Sequence, residues 1–494
     1  MTRITATDGT TIRISSAGPS RALRNRATDV DAAVVEVGST GLPAIEPLVA
    51  VTRAGETAFH ARCSPMEMDA IAASLDEEAV STAGDAVAQH DPDATRLPAV
   101  DLPGLRGSDR VILGACGWRR PTEPEDHEAA GGFTDPDATA VLEAAADLRG
   151  RGWGDLCHDE PLAATWKTAR DADDDPVVVV NAHGNTTDTL LLSSAPFEVL
   201  DGAVAAARAV GAESVVVYTS VDDDRAVETV REAAANYPSP APAVDVVTGP
   251  AEYRAAEPTM ALEAIEGNHR LEARIRPPGP ESTGLHGRPT LVHTPRTLAH
   301  LAVSLRTGRQ PDTRTVTLTG DVADPATVEV SESETLETAL DAVDIDGEFK
   351  AACVGGRFGG LTRDADVALD PATLTEAGLG TEGTVHVLAE DRCVLEFVGK
   401  RTQFAADENC GRCVPCREGT TQLADLLRDI YDGEYAPGDI EELARVMDTS
   451  SICAFGVQAG RPARTALTEF ESELRAHADG RCPTSSCLDA VEVT

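Results

Sequence analysis

Four cysteines near the C-terminus constrain this chain more than any other feature. They are Cys410, Cys413 and Cys416 in E-N-C-G-R-C-V-P-C-R, then Cys453 in S-S-I-C-A-F-G. Two successive C-x-x-C steps place three thiolates on one tight loop, and the fourth arrives from a distant segment. Zinc sites usually take two knuckles that give a pair of ligands each. A three-plus-one set fits the cuboidal 4Fe–4S cluster, whose irons each take one thiolate. The alternative reading is a zinc clip on the same residues.

At 494 residues the chain is too long for one core, and roughly three or four domains are expected. Asp and Glu total 83 against 42 Lys and Arg, a formal charge of −41. Such a charge self-repels in dilute buffer, but in molar salt the Debye length falls to about 3 Å. The acidity therefore reads as adaptation to a salt-rich cytoplasm; a surface for a basic partner is the alternative. Nucleic-acid binding is disfavoured, because no basic stripe exists to displace counterions. The N-terminus lacks the apolar core of a secretory signal. No stretch approaches the ~20 apolar residues that cross a bilayer, so a soluble, cytoplasmic chain without direct membrane insertion is expected. Any membrane role would come through partners. In a reducing compartment the eleven cysteines favour metal or cluster ligation over disulfides.

Along the chain, residues 1–100 read as a small α/β unit with strands at 34–37 and 47–51 and a helix at 66–75. An Asp-, Ala- and Pro-rich stretch at 84–102 reads as a linker. In residues 105–305, strands at 176–180 and 214–218 flank a helix near 196–210, which argues a parallel sheet covered by helices. Residues 312–390 open as a hairpin around an Asp-Pro turn, then give a short helix (335–342) and a last strand (384–388), the pattern of a ubiquitin-like β-grasp module. Residues 391–480 carry helical periodicity at 418–431, 438–447 and 463–477, and 481–494 form a tail. Helix N-termini in this last domain would favour a negatively charged cluster.

The run E-N-C-G-R-C-V-P-C-R-E-G-T with D-T-S-S-I-C-A-F-G closely resembles the signature of the NADH-binding flavoprotein subunit of respiratory complex I. The diaphorase subunits of NAD-reducing hydrogenases and the beta subunits of NAD-dependent formate dehydrogenases share it. The resemblance covers nearly the whole chain, with L-R-G-R-G, V-V-N-A, E-A-I-E-G and G-L-H-G-R-P-T in family order. It implies a multidomain α/β fold: a thioredoxin-like domain, a Rossmann-like α/β flavin domain, a soluble-ligand-binding β-grasp domain and a helical bundle holding a 4Fe–4S cluster on Cys410, Cys413, Cys416 and Cys453. It also implies partner subunits carrying further iron–sulfur clusters. R-C-P-T-S-S-C resembles the K-C-P-A-G-V-C that leads into a ferredoxin domain in hydrogenase-type relatives, a domain not expected before Thr494. In the first domain, relatives place two cysteines as G-C-x-G-x-C where this chain has Ser39 and Pro43 or Ala44, so that module is expected to lack its 2Fe–2S cluster.

The flavin site is where the pattern breaks. Relatives hold the flavin phosphate on G-R-G-G-x-G-F-P-T-G-x-K-W, whose glycines allow close backbone approach. Here Gly150 and Gly152 remain, but Trp153 replaces a glycine, F-P-T-G is absent, and Asp155 adds a negative charge. Lys167 follows Trp166 in inverted order and could still reach an anion. N-A-D-E-G-E-P becomes Asn181-Ala182-His183-Gly184-Asn185-Thr186-Thr187. G-E-E-T keeps Glu257 and Thr259 but not the second acid, and Tyr253 falls where relatives place a tyrosine near the nicotinamide. Both flavin-binding asparagines give way to His293 and Thr294. Gly150, Gly152, Lys167, Asn181 and Glu257 are the remaining candidates for flavin mononucleotide and NADH. Four altered segments predict that flavin is bound weakly, differently or not at all.

His183 and His293 could build a new metal or anion site, though two histidines more often only hydrogen-bond. Cys482 and Cys487, spaced C-x4-C, read as structural thiols rather than a metal pair; Cys353 and Cys393 read as small buried residues. Cys116 and Cys157 have no evident base for nucleophilic catalysis. Three functions follow: a 4Fe–4S electron-transfer subunit, a working NADH dehydrogenase subunit with substitute flavin contacts, or an assembly or regulatory protein stapled by its cluster.

Overall fold

The computed structural model describes residues 9–15, 18, 21–27, 32–75, 84–107 and 110–487. Residues 488–494 of the expected tail lie outside these. Three sheets follow one another along the described chain.

The first sheet holds β1 (Thr11–Ser15), β2 (Ala33–Val37), β3 (Leu48–Arg53), β4 (Glu56–His60) and β5 (Ala86–Gln89), in the order β2-β1-β3-β4-β5. β1 and β2 run parallel and the other neighbours antiparallel. β3 turns into β4 through Ala54 and Gly55, with φ of 52° and 82°, the left-handed pair that a tight two-residue hairpin needs. Helix Pro65–Ser74 starts from a capping box of Ser64 and Glu67, which satisfies two of its free N–H groups. β5 corrects the linker expected over 84–102. Ala88, Leu97, Val100 and Leu102 of that stretch are buried in a core shared with the third sheet. Sparse apolar residues among Asp and Pro hide a packed segment from composition alone.

The second sheet is wholly parallel: β6 (Val177–Asn181), β7 (Ser214–Ser220), β8 (Ala243–Gly249) and β9 (Thr290–His293), in the order β8-β7-β6-β9. Every residue of β6 is buried, as expected for a sheet covered on both faces. Helices Pro196–Val210 and Pro295–Thr307 pack on it. Among the described residues no single helix is long and apolar enough to cross a membrane; the one apolar pair, Thr186–Ser194 with Pro196–Val210, is bent by 99° and contributes to this core.

Glu198 lies inside that core, 2% exposed, between Arg119 and Arg306, the latter at 3.0 Å. Burial opposes its charge, but the two guanidinium groups and His127 hold the carboxyl well below its ordinary value. Its stabilisation is therefore complete above the unfolded value and is lost as pH falls through the folded one. Glu198→Gln is expected to cost about 3–5 kcal/mol, because it leaves buried cations unpaired. Denaturant midpoints of the two proteins at neutral pH in molar salt measure the loss.

The third sheet comprises β10 (Thr313–Gly320), β11 (Ala326–Ser331), β12 (Phe349–Val354), β13 (Gly360–Thr362) and β14 (Thr384–Ala389), in the order β11-β10-β14-β12-β13 with β10 and β14 parallel at its centre. Helices follow: Val394–Glu408, Val414–Asp429, Pro437–Ser450, Ala454–Gln458, Arg461–Glu469 and Glu471–Ala478. The helix expected over 463–477 breaks at Phe470, whose backbone leaves the helical region (φ −131°, ψ 27°) while its ring is buried. An apolar period runs through that break because both helices face one core.

Candidate functional site

The cysteine motif is built on helix ends. Cys410 follows helix Val394–Glu408, Gly411 turns the chain with φ of 75°, and Cys413 caps helix Val414–Asp429, placing Cys416 in its first turn. Asn409 fixes the entry: its side chain donates to Ala405 and Ala406 carbonyls and accepts from the Gly411 N–H. Cys453 caps helix Ala454–Gln458. Burial raises the Cys416 thiol, and Cys413, Cys453 and Cys410 add to the rise in that order, so the four sulfurs share one neighbourhood. Burial and Glu257 push the Cys453 thiol up to about 12, while N–H groups of Phe455 and Gly456 act the other way. A Cβ on Gly456 would come within 2.8 Å of the Cys416 Cβ, so only glycine lets the two cysteine segments approach. Three thiols at helix starts and a fourth just past a helix end, with N–H groups aimed at the Cys453 sulfur, suit a metal cluster whose thiolates carry charge.

Beside this motif lies the glycine turn, closed by its own chain. The Gly150 N–H donates to the Glu160 carbonyl, Asp155 N–H to Gly152, Leu156 N–H to Val292, and Arg151 N–H to the Thr297 hydroxyl. The fully buried Asp155 side chain accepts from Cys157 N–H at 2.8 Å and Thr294 N–H at 3.2 Å, and faces His293 Nδ1 at 3.1 Å. Trp166 donates its indole N–H to His293 Nε2 at 2.8 Å. Indole nitrogen only donates, so His293 accepts at Nε2 and turns Nδ1 toward Asp155. Burial would raise the Asp155 carboxyl; His293, Thr297 and the Cys157 N–H more than offset it and hold it below the usual range.

Neighbouring residues complete the closure. A Cβ on Gly152 (φ 85°) would lie 2.2 Å from Arg296 Nη2, so that guanidinium rests on the turn. Arg296 also forks onto Asp188 and donates to the Glu382 carbonyl. Trp153 stacks on Tyr253, centroids 4.7 Å apart, and Tyr253 meets Phe358, Phe404 and Phe455 edge-on. Asn181 donates to the carbonyls of Gly154 and Ala256. Glu257 caps helix Pro258–Ile265 and pairs with Arg276. His183 donates to the Pro250 carbonyl and stacks on Tyr218. Lys167 stands on the exposed face of its helix; its neighbour Trp166 is the one that reaches the turn.

The structure thus gathers Gly150, Gly152, Asn181 and Glu257 around one turn, and leaves Lys167 outside. Arg296, Asp188 and Glu382 carry no motif, and only a three-dimensional arrangement identifies them. Between the turn and the Ser451–Cys453 segment remains a cavity of about 280 Å³, below the roughly 300–1,000 Å³ of most small-molecule sites. A wider cleft of about 670 Å³ is lined by Gly184, Tyr253, Arg357, Glu382, Lys400 and Arg401.

Known proteins match this chain in sequence and in fold. Residues 396–477 match the iron-sulfur binding region of NADH-ubiquinone oxidoreductase-F, and residues 144–302 match the Nuo51 FMN-binding domain. The chain is 31% identical to the F-type subunit of NADH-quinone oxidoreductase from Streptomyces coelicolor over 386 residues, covering 70% of this chain and 85% of the relative. It is 25% identical to the HndC component of the NADP-reducing hydrogenase of Solidesulfovibrio fructosivorans over 433 residues, 78% and 87% of the two chains. An NAD+-reducing NiFe-hydrogenase chain in the H2-reduced state shares the fold with a TM-score of 0.63 at 23% identity, covering 98% of this chain and 88% of that one. With its cysteine motif, parallel sheet and glycine turn in family order, this chain belongs to the family of F-type NADH-quinone oxidoreductase subunits.

Proposed function

We propose that this chain is the 4Fe–4S electron-transfer subunit of a multi-subunit oxidoreductase, in which flavin and NADH chemistry of its own has been lost. Cys410, Cys413, Cys416 and Cys453 are the cluster ligands in this reading. A cluster held there supplies one-electron storage and passage to iron–sulfur centres of partner subunits. The protein's part is to bury the thiols, aim N–H groups at sulfur and exclude water with Phe358, Phe404 and Phe455.

The observation that carries the loss of flavin is Asp155. It occupies the anion position of the turn, drawing on the donors Cys157 N–H, Thr294 N–H and His293. A flavin phosphate would meet this carboxylate and find the Gly150, Arg151, Asp155 and Leu156 N–H groups already bonded. The residues present do not fit the group, and the chemistry of this chain does not run through it.

The same reading covers the domains. The strand order β2-β1-β3-β4 with parallel β1 and β2 supports a thioredoxin-like first domain within 1–100, where Ser39 binds Glu46 at the place of a cluster cysteine. The order β11-β10-β14-β12 with a parallel central pair supports the β-grasp assignment for 312–390. The flavin-type domain then spans 105–305 and the cluster domain 391–480.

One feature favours the rival reading of a working NADH dehydrogenase. The 670 Å³ cleft carries the unpartnered buried Tyr253 hydroxyl and Glu382 Oε2, and burial raises the Glu382 carboxyl to about 7. A nucleotide bound by substitute residues would use these groups with Arg357 and Arg401.

Anaerobic purification in molar salt, with iron, sulfide and flavin assays, separates the readings. About four irons and four sulfides per chain without stoichiometric flavin are expected. A bound flavin bleached by NADH would establish the rival. Iron with no reducible paramagnetic signal would instead favour a cluster serving only as a staple.

A further inference from the structure

A second set of metal donors converges outside the cluster motif. Cys393 caps helix Val394–Glu408, His477 lies in the last turn of helix Glu471–Ala478, and Cys482 and Cys487 follow the reversal at Gly480 (φ 74°). By spacing alone, Cys482 and Cys487 read as structural thiols in preference to a weak metal pair. The fold instead carries both to a histidine and to a cysteine more than eighty residues upstream. The three sulfurs and one ring nitrogen all lie within 4.8 Å of one another. His477 Nε2 stands 3.2 Å from Cys393 Sγ and 3.5 Å from Cys487 Sγ.

We propose that Cys393, His477, Cys482 and Cys487 form a mononuclear zinc site that fastens the C-terminal segment to the helical domain. A tetrahedral ion with Zn–S near 2.3 Å and Zn–N near 2.0 Å sets its ligand atoms about 3.5–3.8 Å apart, close to the 3.2 Å and 3.5 Å from His477 Nε2 and within the 4.8 Å that bounds the set. A cuboidal cluster has a metal at every ligated corner and spreads its ligands wider. Three cysteines and one histidine are also an established donor set for closed structural zinc.

The surroundings orient the donors as a zinc site requires. His477 Nδ1 lies 2.8 Å from the Glu473 carbonyl; a carbonyl only accepts, so Nδ1 carries the proton. The Nε2 lone pair is thereby turned to the three sulfurs, the usual outer-sphere arrangement for a metal-bound histidine. Glu473 is itself fixed: its carboxylate takes the Val394 N–H at 2.8 Å and Lys350 Nζ at 2.9 Å. The Glu396 N–H donates to Cys393 Sγ at 3.4 Å, which stabilises a thiolate at the helix start. Cys393, Cys487 and His477 are 0%, 2% and 3% exposed, so the site is closed and structural rather than open and catalytic. Three of the four donors fall outside the matched iron-sulfur region, 396–477.

The full chain, purified anaerobically with its cluster, tests this by elemental analysis. Wild-type protein is expected to hold about one zinc per chain besides its iron, with three sulfur and one nitrogen neighbours in the zinc absorption edge. The double change Cys482→Ser, Cys487→Ser should lower zinc at least tenfold and leave the iron content intact. If that variant fails to fold, wild-type protein produced with cobalt decides, because tetrahedral thiolate-bound Co2+ gives intense visible bands. Wild-type protein with iron but without zinc and without these cobalt bands would overturn the proposal. So would zinc lost from Cys413→Ser but retained by the double variant, or a disulfide joining the tail cysteines.

Discussion

Cys413→Ser is expected to strip the iron from the protein, from about four atoms per chain to near none. Cys413 stands between the other two thiols of its loop and starts helix Val414–Asp429. Losing it removes one corner ligand and breaks the loop geometry that presents Cys410 and Cys416. Stability should fall with the metal, because ligation contributes to folding wherever the unfolded chain has no site. Cys63→Ser is the matched control: Cys63 is buried in the first sheet domain, and its change should leave the iron unaltered. Unchanged iron in Cys413→Ser would remove the ligand assignment itself.

Asp155→Asn is expected to destabilise the protein by about 2–4 kcal/mol at neutral pH, since hydrogen bonds to a buried charged acceptor are among the stronger ones. An amide keeps one acceptor oxygen but sets an NH2 group against Thr294 or His293 donors. The pH dependence follows from the depressed carboxyl. As pH falls, the unfolded chain takes up the proton first, near about 3.9, so the contribution of Asp155 is whole above that value. It disappears as pH passes down through the folded value. Denaturant titrations of both proteins at pH 7 and at successively lower pH in molar salt should show the gap closing. Flavin addition gives a sharper outcome: if the Asn variant binds flavin mononucleotide and the wild type does not, the carboxylate alone blocks an otherwise competent turn. No binding in either places the loss in the whole closed network.

The sequence makes the cysteine motif legible because its chemistry is local: three thiols within seven residues and a fourth beside a helix start. Trp153 and Asp155 are equally visible, as residues where glycines and a phosphate belong. Their partners are not. Arg296 reaches Asp188 over more than a hundred residues of chain, and Asn181 braces Gly154 and Ala256 through a side chain that any core position could hold. Lys167 illustrates the reverse failure, since a lysine after tryptophan suggests an anion contact, while helical geometry turns the two side chains apart. His477, Cys482 and Cys487 form a local H-x4-C-x4-C run, but Cys393 lies more than eighty residues upstream of it, so their meeting belongs to the packing of helices. Strand β5 is hidden by its Asp- and Pro-rich surroundings, whereas the Val-rich β6 and β7 announce themselves.

Arg296 has a mechanical consequence. Its guanidinium spans the parallel-sheet domain at Asp188, the glycine turn at Gly152 and the third-sheet domain at the Glu382 carbonyl. Arg296, Asp188 and Gly152 belong to the same unit, so rocking of one domain against the other would have to break the bond from this buried cation to the Glu382 carbonyl. Enzymes that open and shut around a nucleotide keep such seams loosely held. Here a buried guanidinium is bonded on both sides of the seam, which resists its opening.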